Sequence, residues 1–429
     1  MTTLEKPAKL ELSKDQQDEL DSNTTAKTRK TSTSQKKKKD ETTTVVSSSS
    51  SASKKEEKEE KIVSKEESNK LNLEVLDFTT LAYPIFCCST SNSAEKQLIA
   101  VGGGGGTSKT GIPNGITLFK WGQDSKFHTL DTYNTIDCIP FVTFLDNKNI
   151  FAYPIGSMCY IVEYLGDSKF KELKSFDSSQ STSTSSTLTS STSSTSSDKK
   201  DEKYELRFIK FSKSGERLVT IGSDNVVKVW SYPSIQFIKS IPTSHSDEIT
   251  DFDLNPASTH VVTTSRDKTC KIINILNGKV ENTLKYKQKN QDLAFRGCRF
   301  SQNGLYLYTA QSLPRTKTFS SCTILSKWEF STGKEEFSKQ VATVNNTSFE
   351  LSPDGKRVAI GTADSFVSVF DIDTFNLIDR WEPHTFVITG ICFSPDSSSI
   401  FSTSADYTCK SHKIGSSKSK KIVSYFLNK

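Results

Sequence analysis

Leu351–Asp364 reads LSPDGKRVAIGTAD, and its pattern recurs along the chain. FSKSGERLVTIGSD begins at Phe211, LNPASTHVVTTSRD at Leu254 and FSPDSSSIFSTSAD at Phe393. All four segments close on an Asp at the same step from the leading apolar residue: Asp224, Asp267, Asp364 and Asp406. A fifth copy, FSQNGLYLYTAQS from Phe300, keeps the turn and the following strand but lacks the Asp. The starts at Phe211, Leu254, Phe300, Leu351 and Phe393 recur with a period of roughly 40–50 residues, the length of one blade of four antiparallel strands.

The chemistry within each copy agrees. The N-P, P-D-G and Q-N-G steps are tight-turn sequences, and the stretch after each is rich in β-branched residues. A turn at the Asp then feeds a third strand such as VVKVWSY or FVSVFDI. These are features of the WD repeat, in which that Asp caps a turn and bonds an upstream His. His245 precedes Asp267 by the same spacing as His384 precedes Asp406, so both His are read as structural. Trp230, shortly after Asp224, takes the repeat's Trp position; Ile273, Phe370 and His412 replace it in other copies. Two degenerate blades fit before residue 175. One holds YPIFCCS, LIAVGG and GITLFKW, the other IDCIPFVTFL, NIFAYPIG and MCYIVEYL. The expectation is an all-β, seven-bladed WD-repeat β-propeller over residues 71–429, its ring closed by Leu71–Phe78 or by Ile422–Leu427.

Two tracts stand outside this pattern. Residues 1–70 carry 16 Lys/Arg against 14 Asp/Glu with few large apolar side chains, and Ser178–Ser197 is Ser or Thr at 18 of 20 positions. Neither buries enough apolar surface to offset chain entropy, so both are expected to be disordered. The second is an insertion at 176–203, between blades two and three. The net charge of +6 is spread thinly, with only Lys36–Lys39 forming a basic block. That argues against a nucleic-acid partner, which demands basic residues gathered on one face. Nine scattered cysteines without C-x-x-C pairs point to a reducing compartment rather than to zinc or disulfides. No apolar run approaches the ~20 residues that span a bilayer. No catalytic constellation stands out, so the chain is not expected to be an enzyme with covalent chemistry.

The most unusual stretch is AVGGGGGTSKTGIPNGITLF, Ala100–Phe119. Five consecutive glycines weaken a strand, so Gly102–Gly106 read as a loop between the second and third strands of the first blade. Exposed amides there suit an anion and exposed carbonyls a cation. A P-loop is excluded, because Ser108 precedes Lys109 where glycine is required and Gly115–Phe119 continues as strand rather than helix. A dinucleotide fingerprint fails for the same want of a helix.

The run AVGGGGG…GIPNG, with CRFS at Cys298–Ser301 and HTFVITGICFSPDS at His384–Ser397, resembles the WD-repeat guanine-nucleotide exchange factors of the endoplasmic reticulum. In animals this is the prolactin regulatory element-binding protein family. The resemblance covers about Leu76 to Ile414. It implies exchange on a Sar-type small GTPase, the step that starts COPII coat assembly. It further implies a potassium ion held by backbone carbonyls of Gly102, Gly103, Gly104, Gly105, Gly106 and Gly111, with Ile112 and Asn114 touching the GTPase; Asn114 could equally cap a turn locally. Members of that family carry a membrane-spanning helix after the propeller, and none follows here in SKSKKIVSYFLNK at Ser417–Lys429. The resemblance implies the cytosolic face of the endoplasmic reticulum; the expectation is either a soluble cytosolic version or a fragment, or a chain that reaches the membrane through a partner. A propeller scaffold without exchange activity fits the repeats equally well.

Overall fold

The computed structural model describes residues 75–415, apart from 92–96, 109, 181–202, 289 and 314–319. The chain divides into Met1–Ser64, which lies outside the described residues, and a second unit, Lys65–Lys429. The expectations for residues 1–70, for most of the Ser/Thr tract and for Ile422–Leu427 also fall outside them.

The second unit is a seven-bladed β-propeller carrying WD repeats. Each blade is a four-stranded antiparallel sheet, with strands a to d running from the central channel outward. The innermost strands are Ile85–Thr90, Thr143–Phe144, Leu206–Phe211, Ile249–Leu254, Ala294–Phe300, Asn346–Leu351 and Ile388–Phe393. Strands b of blades 3, 4 and 6 (Arg217–Gly222, His260–Ser265, Arg357–Thr362) are buried at every position but the first. A middle strand is covered on both faces by neighbouring blades, so its sequence runs apolar and small instead of alternating. Outer strands such as Lys279–Leu284 do alternate, because one face meets water.

Strand Val75–Thr80 closes the ring by pairing antiparallel with Thr408–Lys413, Phe78 opposite Lys410 and Thr80 opposite Thr408. The Asp77 amide donates to Ser411 Oγ (3.0 Å), and the Asp77 carboxylate accepts the Phe127 amide of blade 1 (2.7 Å). The N-terminal strand thus completes blade 7 and ties it to blade 1. The Ser/Thr tract leaves from between blades 2 and 3, but its first residue is built into the fold. Ser178 is fully buried, its hydroxyl hydrogen-bonded with Thr220 and Tyr204 and its carbonyl receiving Lys228 Nζ.

The structural residues are where the repeat places them. His245 Nδ1 meets Asp267 (2.8 Å) and Nε2 meets Thr263 (2.9 Å); Asp267 also accepts the Ser246 and Thr269 amides. His384 repeats the arrangement with Asp406, Ser402 and Thr408. Burial alone would raise the Asp406 carboxyl, yet bonds from His384, Thr408 and Thr385 hold it well below the usual range. Asp224 and Asp364 have no His; the first caps the Val226 amide and pairs with Lys228, the second accepts Thr362 Oγ1. Trp230 donates its indole N–H to Thr220 Oγ1 (2.9 Å). Trp230→Phe keeps an aromatic ring and removes that bond. It is expected to cost about 1–2 kcal/mol, read as a lower urea midpoint; an unchanged midpoint would show that the bond is dispensable.

Candidate functional site

Strand b of blade 1 is Leu98–Gly104 and strand c is Asn114–Trp121, so Gly102, Gly103 and Gly104 lie inside a strand and only Gly105 and Gly106 enter the turn. This corrects the reading of all five as loop. The reason is tertiary. A Cβ on Gly102 would sit 2.7 Å from Ile139 Cγ2 and 2.9 Å from Cys87 Sγ, and one on Gly103 would sit 1.9 Å from the Pro84 carbonyl oxygen. On Gly104, whose φ is +143°, it would meet Asn114 Oδ1 at 2.0 Å. Neighbouring atoms come so close that only hydrogen fits.

The turn that follows is clasped. Gly106 donates its amide to Asn114 Oδ1 (2.8 Å), and Asn114 Nδ2 returns a bond to the Gly106 carbonyl (3.0 Å). Ser108 Oγ donates to the Gly105 carbonyl (2.8 Å), and the Asn114 carbonyl takes the Thr135 amide (3.1 Å). Gly106 and Gly111 have φ of +75° and +76°, where a side chain is strained. Asn114 therefore spends both halves of its amide on the turn, the local capping role. Ile112 is half-buried, its side chain lying where a Cβ on Gly105 would fall.

The connection from blade 1 to blade 2 comes close to the turn at Gly106. Ile136, in the connection from blade 1 to blade 2, is 74% exposed. Its neighbour Asp137 caps Cys138 and reaches within 3.6 Å of a Cβ built on Gly106. Both open the stretch IDCIPFVTFL, which the sequence marks only as the start of blade 2.

Several of the carbonyls expected to hold a monovalent cation already accept hydrogen bonds. The Gly102 carbonyl accepts the Cys87 thiol (3.7 Å), the Gly103 carbonyl accepts the Ile139 amide (3.4 Å), and Gly104 pairs with Asn114 across the sheet. The turn carbonyls of Gly105 and Gly106 likewise accept bonds, from Ser108 and Asn114, and the Asp137 carboxylate comes near Gly106. Among the described residues no group of three or more His, Cys, Asp or Glu could hold a metal ion. Nor is any helix of the described residues long and apolar enough to cross a membrane. None of the nine cysteines forms a disulfide.

The family description "WD domain, G-beta repeat" matches residues 236–274 and 375–412. These segments carry both His–Asp pairs. SEC12-like protein 1 of Arabidopsis thaliana is 27% identical over 167 residues, 39% of this chain and 40% of that protein. SEC12-like protein 2 of the same plant is 24% identical over 204 residues, 46% and 49%. WD repeat-containing protein AAC3 of Dictyostelium discoideum is 28% identical over 187 residues, 43% and 36%. The chain thus spans less than half the length of these curated relatives.

Proposed function

We propose that this propeller is a guanine-nucleotide exchange factor for a Sar-type small GTPase, acting at the cytosolic face of the endoplasmic reticulum to start COPII vesicle formation. The observation that carries the reading is the glycine turn of blade 1, clasped by Asn114 at Gly106 and approached there by Asp137, next in sequence to the exposed Ile136. Similarity to two SEC12-like proteins and the family resemblance of the same stretch support it.

Exchange requires no covalent chemistry. The factor binds the nucleotide-free GTPase more tightly than the GDP-bound form, and by reciprocity it loosens GDP. In this scheme Ile136 and Ile112 supply apolar contact, while Asn114 holds the turn in one shape. A turn already ordered before binding loses less conformational freedom when it docks. A potassium ion, if held, would rest on the carbonyls of Gly105, Gly106 and Gly111 with Asp137, and would further stiffen the turn.

The test is release of fluorescent GDP from a Sar-type GTPase in potassium and in sodium buffer, with the chain and its Ile136→Asp variant. Acceleration is expected in potassium, reduced more than tenfold by I136D at unchanged thermal stability. No acceleration by the folded chain would overturn the reading, leaving a propeller scaffold. Equal rates in the two buffers would remove the ion from it.

A further inference from the structure

In six blades strand a carries a bulge at one equivalent place, where the pairing skips Phe86, Arg207, Thr250, Arg296, Thr347 and Thr389. At this position a side chain can reach the following blade. Thr250 Oγ1 donates to the Phe295 carbonyl (3.1 Å), Thr389 Oγ1 donates to the Ile85 carbonyl (2.8 Å), and Arg207 pairs with Glu248. Arg296 breaks the pattern. Its Nε is buried without a partner, and its guanidinium makes no hydrogen bond or ion pair among the described residues.

The following blade is irregular at the matching place. The residue before the bulge is buried and apolar in the other five blades: Ile85, Leu206, Ile249, Phe295 and Ile388. In blade 6 it is Asn346, 3% exposed. Asn346 Oδ1 accepts Ser312 Oγ (2.6 Å), but its Nδ2 is unpartnered, as is Oδ1 of the adjacent Asn345. Blades 5 and 6 are in direct contact here, since a Cβ on Gly297 would fall 2.5 Å from Phe349 Cβ. Arg296 and Thr347 also line the central channel. Deeper in that channel the cations are already matched: Lys210 pairs with Asp253, and Arg299 with Asp251 (2.6 Å) and Glu350 (3.1 Å).

A buried polar atom without a partner is costly. Two unmet donors, one of them on a cationic side chain, and one unmet acceptor stand at the starts of the neighbouring inner strands of blades 5 and 6. The geometry points to an oxyanion site at the channel mouth between blades 5 and 6, which takes a carboxylate or phosphate group. Arg296, which lines the channel, supplies the charge and the planar fork suited to two oxygens. The group arrives either on a free anion or on an acidic side chain of a polypeptide laid across the mouth. Strands a start, and strands b and c turn, at the same end of the blades, so the site shares a face with the glycine turn. It does not depend on the exchange reading.

Inorganic phosphate and a hexaglutamate peptide, with hexaglutamine as control, are titrated into the full chain at constant ionic strength set with potassium chloride. Calorimetry and thermal unfolding are followed for the wild type, Arg296→Gln and Lys213→Gln, the last altering an exposed lysine at the opposite mouth. Saturable binding of at least one anionic probe is expected, weakened at least tenfold by R296Q and kept by K213Q. R296Q in chloride alone should melt no lower than the wild type, because Arg296 supports no bond of the fold. Phosphate binding with no tighter binding of hexaglutamate assigns a free anion; hexaglutamate binding tenfold tighter than phosphate assigns a polypeptide. Absence of saturable binding, equal binding by R296Q, or a lower melting temperature of R296Q in chloride would each overturn the proposal.

Discussion

Gly103→Ala is expected to cost about 3 kcal/mol or more, whereas Gly111→Ala, further along the same hairpin, is expected to cost about 1 kcal/mol. At Gly103 the new methyl would lie 1.9 Å from the Pro84 carbonyl oxygen, which belongs to backbone and moves only if the start of strand a moves with it. At Gly111 nothing stands within 4 Å, so the only cost is a left-handed φ of +76°. Urea titration followed by tryptophan fluorescence separates the two. Similar midpoints for both variants would mean that blade 1 relaxes freely around Gly103. The contrast also bears on the exchange assay. Alanines across Gly102–Gly106 would unseat the blade before they tested the turn, so lost activity in such a variant would say nothing about GTPase contact. Ile136 is the better probe, because its side chain is already in solvent.

Acid is the second lever. His412 stands where blade 3 has Trp230, is fully buried and stacks on Trp381 with ring centroids 5.1 Å apart. Its Nδ1 has no partner. Burial first, then the nearby His384 and Lys410, push its pKa down to about 3. In the unfolded chain it takes up a proton near pH 6.5, while in the folded chain it stays neutral until about pH 3. Unfolding therefore binds a proton throughout that window, and stability falls as the pH falls below 6.5 by about 1.4 kcal/mol per pH unit from this residue alone. His245, also lowered by burial, acts in the same sense. Asp267 and Asp406 are held low by their hydrogen bonds, so their contribution is present above about pH 4 and is lost only below it. His412→Phe, which installs the side chain blade 6 uses at Phe370, is expected to remove about 1.4 kcal/mol per pH unit from the slope between about pH 6 and 4.5. Urea midpoints measured across that range give the slope, and identical slopes for the two proteins would discard the assignment.

The architecture was legible wherever the Asp ruler survives. Four copies with Asp at one constant step from an apolar start set the period, and the two degenerate blades fell into the space left over. Trp328 shows where the ruler failed. It occupies the Trp position of blade 5 and donates to Thr309 Oγ1 (2.7 Å), as Trp230 does to Thr220. No Asp precedes it at the expected step, and the connection from Leu313 to Cys322 is long enough to shift it out of phase. The ends of the ring could not be ranked from sequence, because the two candidate strands were similarly apolar; pairing with Thr408–Lys413 decides for the N-terminal one. The glycines were misread for a different reason. Composition treats glycine as a loop former, and only the approach of Pro84 and Ile139, distant in sequence, makes it a requirement inside a strand. Ile136, at the head of IDCIPFVTFL, and Arg296, in the inner strand Ala294–Phe300, were legible as parts of blades but not as site residues. Each matters through what surrounds it in space, which a strand pattern does not declare.

The closing strand also sets an order in time. Asp77 and its partner Ser411 are 334 residues apart in sequence, yet they meet in one sheet. On the ribosome the strand that seals the ring emerges first and its partner last. Through most of synthesis Val75–Thr80 is an unpaired edge, and Phe78 has nothing to lie on. Bringing such distant ends together carries a loop-closure cost on the order of 5 kcal/mol if the intervening chain is unstructured. That cost shrinks as each finished blade shortens the free path. Blades that fold in turn as they leave the tunnel make the final pairing local, so slowing translation should raise the yield of closed rings.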